Sequence, residues 1–457
     1  MVRHNSTGQD WQAGLLASAL LGLSIALGGG GSPAPIPETV LLIATAVVAA
    51  AWLSAGSEPW RQVPRTAWVI AGLALALPLV QLLPLPPGLW HALPGRLNQK
   101  DALDLVGAGD TWRALTLSPP RTLASLLAAA AGGFVLVLAA SLDRRGRERL
   151  IATTAIMGIA TVLVGAAQLS GGTGNPFRFF DPEEIFLTGF QANHNSTADL
   201  ILIAMLAAAA WLRLQLDAGV FRPRPWQLAA AVVVSDGVFA LALFLAGSRA
   251  GIALLPLVLV LQFVMLQPKR SFPWGRFALC AAAAMVLAAL AFAVLRDNRE
   301  VARILARFTF AGEFRPELWI DSVYALGQYW PAGSGMGTFV PVMMAVERLE
   351  VVDPTLPNRA HNDYLELAIT GGLPGLLILG TISALVIRAA WRAIRRADRQ
   401  DRPQVLFALG TLAIVGLHSL VDYPLRSMAL TVVAATAVGL LLFPRQAEPA
   451  RTERSHS

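Results

Sequence analysis

Apolar runs of roughly 18 residues or more recur along the chain, and this pattern narrows the possible folds sharply. A run of that length can cross the hydrocarbon core of a membrane as a single helix. The composition agrees, because 55% of the 457 residues are hydrophobic, 14% are charged and the mean hydropathy is +0.57. Soluble domains carry about 25% charged residues. We therefore expect an all-α polytopic membrane protein.

About twelve such spans fit the chain when each takes roughly 20 apolar residues. The first run is longer than the apolar core of a cleaved signal peptide and leads into four glycines, so we expect it to remain as a membrane span. The predicted spans are 11–28, 37–55, 66–83, 121–141, 150–169, 194–213, 228–246, 250–267, 277–295, 374–391, 404–421 and 425–443.

The distribution of Lys and Arg predicts how these spans are oriented. Counted together with the residues at the ends of the flanking spans, the even-numbered short loops carry 18 Lys and Arg residues and the odd-numbered ones carry 7. Basic residues in short loops favour the cytoplasmic side, so both termini are expected in the cytoplasm and the odd loops outside. The longest loop, 296–373, contains apolar stretches from Leu318 to Trp330 and from Phe339 to Val346. These predict short helices on the membrane surface that pack into a lid.

The net charge of +7 and the pI near 10.4 could suggest a nucleic-acid partner. The basic residues lie in loops, where they orient the spans, and no basic and aromatic surface module is visible. We therefore expect no nucleic acid to bind. The single cysteine, Cys280, lies in an Ala/Leu run and supports neither a disulfide nor a cysteine metal site. The chain also lacks a His-Glu-x-x-His motif, which disfavours a metal-dependent mechanism.

The polar segment 358–366 just before a predicted span is the strongest functional signal. Polar residues are costly at membrane depth unless their hydrogen bonds are satisfied, so such a cluster marks a candidate site. His361 can accept a proton from a hydroxyl nucleophile near neutral pH. The alternative is that His361 and Asn362 only cap a helix, with Asp363 and Glu366 in its first turn. That helix should end at Gly371-Gly372.

Two arginines are candidate ligands for a phosphate group. Arg249 lies in a turn between two glycines, Gly247 and Gly251, where a permanent cation suits bidentate contact with a diphosphate. The alternative is a side chain that snorkels to the lipid headgroups. Arg315 precedes a proline and an apolar stretch of the long loop. The alternative to a phosphate ligand here is an arginine that only lies on the surface.

Three further motifs lie on the same predicted face. The glycine-rich turn 333–337 could offer backbone N–H groups to an anion or be a flexible turn. Residues 193–196 predict a helix cap or hydrogen-bonding groups for a sugar. Asp422 and Arg426, four residues apart, are candidates for a structural ion pair. Because all these motifs converge outside, an enzyme site there would act on a molecule already carried across the membrane.

Taken together, the motifs resemble those of the O-antigen ligase/polymerase superfamily of bacterial inner-membrane glycosyltransferases, over about residues 180–430. Where this superfamily often has Asn-Pro-Asn, the chain has Asn193-His194-Asn195, which leaves the role of His194 open. The matching pieces, in order, are Thr188 to Asn195, Gly247 to Gly251, Arg315 with Trp319, Pro331 to Phe339, Ala360 to Gly375, and His418 to Pro424.

The resemblance implies about twelve transmembrane helices with a large periplasmic loop between spans 9 and 10, which agrees with the count above. It divides the chain into N-terminal membrane helices (1–180), a ligase-like catalytic region (181–443) that includes the periplasmic loop 296–373, and a cytoplasmic tail (444–457). The implied location is the bacterial inner membrane, with the bilayer and other polysaccharide assembly proteins as surroundings.

The resemblance also implies the chemistry. The donor would be a glycan on undecaprenyl diphosphate. The acceptor hydroxyl would belong to lipid A-core in ligases, to another lipid-linked glycan in polymerases, or to a protein serine in a third branch. Neither a nucleotide sugar nor a metal ion or other cofactor is expected. A direct displacement without a covalent intermediate predicts inversion at the anomeric carbon.

The same resemblance assigns roles to residues. Arg249 and Arg315 would hold the diphosphate and stabilise the charge that develops as it leaves. His361 would deprotonate or orient the acceptor hydroxyl. The predicted substrate-binding residues are Asn193, Asn195, Arg359, Asn362, Tyr364, Glu366 and Asp422.

Two classes of protein remain as alternatives. A transporter or flippase also has about twelve spans, but it is expected to show inverted repeats or an ionisable site at the membrane midplane. The other alternative is a non-catalytic scaffold in a polysaccharide assembly complex. Within the superfamily, the His-Asn-x-x-Leu-Glu segment slightly favours a ligase over an O-antigen or exopolysaccharide polymerase.

Overall fold

The structure is a computed structural model that describes residues 6–30, 35–55, 58–171, 174–267, 315–350, 352 and 357–443. Most of these residues are helical. The helices of the first part are α1 (Ser6–Leu27), α2 (Pro35–Leu53), α3 (Arg65–Gln81), α4 (Pro87–Trp90), α5 (Leu97–Asp104), α6 (Pro119–Ser141) and α7 (Arg144–Ser170). A 3₁₀ turn covers Pro59–Gln62, and the short strands β1 (Pro84–Leu85) and β2 (Arg113–Ala114) pair antiparallel.

The second part contains the long helices that carry most of the predicted motifs. They are α8 (His194–Asp217), α9 (Pro225–Leu245), α10 (Arg249–Leu266), α11 (Arg315–Tyr329), α12 (Phe339–Val346), α13 (Asp363–Arg396), α14 (Arg402–His418) and α15 (Met428–Leu441), with a 3₁₀ turn at Pro424–Arg426.

The predicted membrane spans coincide with helices wherever the structure describes them. By length and composition, α2, α6, α7, α8, α9, α10 and α13 can each cross a membrane. Gln12–Leu27 within α1, together with α3 and α15, are shorter apolar helices. The expectation of a polytopic helical membrane protein is therefore supported. The count of about twelve remains a prediction, and the predicted span 277–295 lies outside the described residues.

Helix α8 is the centre of the bundle. In its most apolar 18-residue window, 83% of the residues are buried, against 44% or less in the other six long apolar helices. Burial on all sides is what an apolar helix in a bundle core requires. Helices α7, α10 and α14 pack around it. A Cβ on Gly158 of α7 would lie 2.0 Å from Cβ of Ala204 in α8, so this close helix contact depends on a glycine.

Residues 315–350, which we call the lid, cover the end of the bundle where the candidate residues lie. Its two apolar stretches are helical as predicted, since they form α11 and α12, and they share a buried cluster that includes Leu318, Phe339 and Ile369. The loop between α3 and α6 joins the lid through Arg96, which donates to the carbonyls of Leu115 (2.5 Å) and Gly333 (3.4 Å). Whether the lid lies on a membrane surface stays a prediction.

The glycine-rich turn 333–337 docks against a break in α13. Gly372 has φ 58° and ψ −156°, so the helix is interrupted at the predicted position. The N–H groups of Ser334 and Gly335 donate to the carbonyls of Ile369 (3.0 Å) and Thr370 (2.9 Å), just before the break. The N–H groups of residues 333–336 are all bound by protein acceptors and are not available to an anion, so the interpretation of this turn as an anion cradle is wrong. The turn instead fixes the lid to α13.

Candidate active site

The start of α8 is held by the motif at residues 193–196. Asn193 caps the helix, because its side-chain oxygen accepts from the N–H of Asn195 at 2.8 Å. The cap interpretation is therefore confirmed. His194 Nδ1 lies 2.8 Å from the carbonyl oxygen of Ala246, and its ring stacks on Phe186 with centroids 4.7 Å apart. His194 thus ties the start of α8 to the residue that follows α9.

The two arginines assigned to phosphate binding line one cavity. Arg249 is the first residue of α10, and the preceding Ser248 caps that helix by accepting from Gly251 N–H at 3.1 Å. Arg315 begins α11, far away in sequence. Both side chains face the same small cavity, together with Asn195 at the start of α8. Two permanent cations at one cavity with an amide favour the binding of an anion that carries more than one charge.

His361 occupies a strained backbone position two residues before the start of α13. Its φ is +49°, a left-handed conformation that is costly for residues other than glycine and is often found at functional sites. Its Nδ1 lies 3.2 Å from Oδ1 of Asp422, and its side chain keeps 15% of its surface exposed. The ring also lies edge-on to Tyr423, with centroids 4.9 Å apart. Asn362, not His361, is the cap of α13.

Asp422 links His361 to the arginine cavity. Burial opposes ionisation of its carboxyl group, but the nearby His361, followed by the charges of His418 and Arg315, holds the pKa of Asp422 below its usual value. Its Oδ1 also accepts from the backbone N–H of Tyr423 at 2.9 Å. The carboxylate is therefore ionised at neutral pH, and it lies within the electrostatic reach of both the histidine and the cavity.

Arg426 does not pair with Asp422, so that prediction is wrong. The 3₁₀ turn after Asp422 directs Arg426 towards α13, where its Nε lies 3.0 Å from Asp363 and 3.4 Å from Glu366. Glu366 also accepts from the N–H of Ala360 at 3.2 Å and from Arg359 at 3.2 Å. This buried network fixes the residue before His361. Arg359 and Glu366 thus contact each other, and their role in substrate binding stays a prediction.

Asn362 and Tyr364 also make contacts that fix the start of α13. The Asn362 side chain accepts from Leu365 N–H (3.0 Å) and donates to the Leu420 carbonyl (3.0 Å). The Tyr364 hydroxyl donates to the Gly416 carbonyl at 2.8 Å. These bonds hold α13 against the end of α14. Direct contact of either side chain with substrate remains a prediction.

Sequence reasoning missed Asp199, whose carboxylate lies 2.5 Å from Nδ1 of His418. Both side chains are about 1% exposed, so this is a buried pair between α8 and α14. A signal was present, because a lone carboxylate inside an apolar span is rare and marks a position with a defined partner. The pair lies beside Asp422, whose N–H donates to the His418 carbonyl at 2.9 Å.

Tyr423 was also missed, although it lies under the His361 ring. Burial, followed by the charge of Asp422, raises the pKa of Tyr423 to about 12, so its phenol is neutral. Its hydroxyl is hydrogen-bonded to the side chains of Asn358 and Asn193. Tyr423 therefore joins the cap of α8 to the segment that leads into His361.

The arrangement places side chains suited to anion binding beside side chains suited to proton transfer. Two arginines from different segments meet at a cavity, and a histidine–aspartate pair lies next to them. Such a pair can accept a proton and stabilise the charge that results. Within the described parts of the chain, no three His, Cys, Asp or Glu side chains come together in a group that could hold a metal ion.

Comparison with known families gives one match. Residues 234–380 match the family model described as O-Antigen ligase, about a third of the chain, and this range contains Arg249, Arg315 and His361. No curated protein matches the chain. The resemblance carried by the motifs is thereby confirmed over residues 234–380, where the chain matches the O-antigen ligase family model.

Proposed function

We propose that the protein is an inner-membrane glycosyltransferase of the O-antigen ligase type. It transfers a glycan from undecaprenyl diphosphate to an acceptor hydroxyl on the periplasmic face, in the synthesis of lipopolysaccharide or another surface polysaccharide. The observation that carries this proposal is the convergence of Arg249 and Arg315 on one cavity, with the His361–Asp422 pair electrostatically linked to it. Diphosphate departure and hydroxyl deprotonation need those two groups side by side.

The arginine cavity is the site for the donor diphosphate. The charge on the diphosphate increases as its bond to the sugar breaks, and guanidinium groups already in place stabilise that charge without reorganisation. Asn195, on the cavity wall, can donate to a phosphate or sugar oxygen. Because arginine stays protonated at all relevant pH values, this binding needs no proton transfer.

His361 acts as the base for the acceptor. The ionised Asp422 faces Nδ1 and favours a proton there, which leaves the lone pair on Nε2. As the acceptor oxygen attacks the anomeric carbon, its proton passes to Nε2, and the bond from that carbon to the diphosphate oxygen breaks. The electron pair leaves with the diphosphate. One displacement inverts the anomeric configuration, and none of these steps requires a metal ion.

In this proposal Asp422 and Tyr423 contact His361 and favour its role as a base. Asp422 stabilises the imidazolium that forms, by the logic of a histidine–aspartate pair. The neutral Tyr423 presents its ring to the imidazole without adding a charge. The buried network around Glu366 and Arg426 holds the backbone at residue 360, so the strained φ of His361 is maintained.

A polymerase of the same superfamily would use the same donor chemistry, and a polysaccharide transporter is the alternative of another class. The test is deletion of the gene, followed by restoration with wild type, with His361→Ala, or with the control His91→Ala in the loop between α3 and α6. Lipid A-linked and undecaprenyl-linked glycans are resolved separately. We expect His361→Ala to behave as the deletion at normal protein levels and His91→Ala to behave as wild type.

The pool that changes identifies the reaction. Long glycans that remain on undecaprenyl beside bare lipid A-core identify a ligase. Single repeat units on undecaprenyl with loss of polymer identify a polymerase. Unchanged pools in the deletion, or full activity of His361→Ala, would refute the proposed role.

A further inference from the structure

Three arginines of α13 line a groove at the end of that helix opposite to His361. Arg388, Arg392 and Arg396 are four residues apart, so they follow one another along one helix face at about 6 Å intervals. All three are exposed. Within the described residues none of them makes an ion pair or a hydrogen bond. Other arginines nearby are engaged: Arg213 pairs with Asp217, and Arg395 stacks on a tryptophan.

The walls of this groove are apolar and come from three helices. Leu385, Ala389 and Ala393 of α13 form one side, residues 441–443 at the end of α15 form another, and Pro64 and Thr66 flank the start of α3. The groove lining contains no carboxylate.

The backbone acceptor at this wall is already in use. The carbonyl of Leu442, at the end of α15, accepts from Arg147 at 2.8 Å. The charge of the groove is therefore positive and is not balanced by the residues that line it.

We propose that this groove, the arginine groove, binds the phosphate headgroup of an anionic membrane phospholipid. Guanidinium groups contact phosphate oxygens bidentately, and a row of three can follow a headgroup with one or two phosphates. The apolar wall beside Leu385 continues along the face of a membrane-spanning helix, where an acyl chain can lie. A free phosphate ion has no use for that wall, so the combination selects a lipid.

The arginine groove is separate from the proposed transfer site. Arg392 lies 20 residues beyond the break at Gly372, so it is about 30 Å along the axis of the second part of α13 from that break, whereas His361 lies before the first part. By the distribution of basic residues the arginine groove faces the cytoplasm, where the headgroups of anionic lipids attract basic residues next to a span. The proposal therefore does not depend on the reaction proposed above.

The experiment uses the full-length protein in detergent, titrated with phosphatidylglycerol or phosphatidylcholine and analysed by native mass spectrometry. The groove variant is Arg388→Gln/Arg392→Gln/Arg396→Gln. The matched control is Arg395→Gln/Arg399→Gln/Arg402→Gln, which removes the same charge at the same end of the protein. Gln keeps the helix propensity close to that of Arg.

We expect wild type and control to retain phosphatidylglycerol selectively, and the groove variant to bind it roughly a hundred-fold more weakly. Equal losses in both triple variants would overturn the proposal, because general charge would then explain binding. Inorganic phosphate that displaces phosphatidylglycerol at millimolar concentration would also overturn it, since the site would then be for a soluble anion. Equal binding of both lipids by wild type would do the same.

Discussion

Replacing Asp422 by asparagine isolates the contribution of one buried charge to the proposed reaction. In the structure, Oδ1 of Asp422 faces His361 Nδ1 at 3.2 Å and also accepts from the Tyr423 N–H. An amide oxygen can keep both positions, so Asp422→Asn preserves these two contacts. The substitution removes only the negative charge that would stabilise the imidazolium.

The size of the effect follows from the distance. Two unit charges 3.2 Å apart interact by about 5 kcal/mol at an effective dielectric constant of about 20. His418 and Arg315 also interact with the charge of Asp422. We therefore expect Asp422→Asn to remove about half to all of this stabilisation of the protonated His361. This corresponds to a rate about 10²- to 10⁴-fold lower, which is the usual contribution of general acid–base catalysis.

The assay is the single-turnover rate of glycan transfer by purified protein with saturating donor and acceptor. Asp321→Asn is the matched control, because Asp321 is a buried carboxylate that pairs with Arg348 inside the lid. We expect the control to retain a rate within a few-fold of wild type. A rate within ten-fold of wild type for a folded Asp422→Asn variant would refute the idea that Asp422 stabilises a charged His361.

Three further predictions concern stability and ionisation. Arg426→Met should lower the free energy of unfolding by about 3–5 kcal/mol, because two buried carboxylates lose their cation. Arg61→Met, which breaks an exposed ion pair, should change that free energy by less than about 1 kcal/mol. Denaturation in detergent measures both. Gly372→Ala should cost about 3 kcal/mol, because its φ is +58° and a Cβ would lie 2.2 Å from a carbonyl oxygen; Gly380→Ala, with open space, should be neutral in the same assay. Tyr423 should titrate near pH 12 in the folded protein, against about 10 unfolded, so its neutral form contributes stability that is complete below pH 10 and is lost as the pH rises through 12. Phenolate absorbance that is unchanged near pH 12 in Tyr423→Phe would contradict this.

The parts of the fold that sequence predicts are those set by local signals. Asn362 caps α13 because its side chain reaches an N–H three residues later, and the break at Gly372 needs a residue that tolerates its φ. The membrane helices follow from apolar length alone. Each of these features depends on neighbours within a few residues, which a single sequence displays.

The parts that sequence could not supply depend on partners far along the chain. Arg426 stands four residues from Asp422, yet its partners are on α13, because the 3₁₀ turn directs the side chain away. The turn 333–337 has the composition of an anion cradle, but its donors are used by residues 369 and 370. The loop between α3 and α6 is structured and contains the β1–β2 pair, but its sequence has no periodic apolar pattern that predicts this structure. The sequence therefore indicated which residues are candidates for the site, but it did not indicate which of their side chains contact each other.

Because α13 is interrupted at Gly372, the rotation of its second part about the helix axis is not fixed by that of its first part. Backbone hydrogen bonds from the lid hold the first part, next to His361, whereas the second part carries the arginine row. One residue inserted after the break would turn that row by about 100° out of its groove without moving His361. The same insertion before the break would move His361 instead. The two parts of α13, 34 residues in all, can therefore change independently through insertions and deletions.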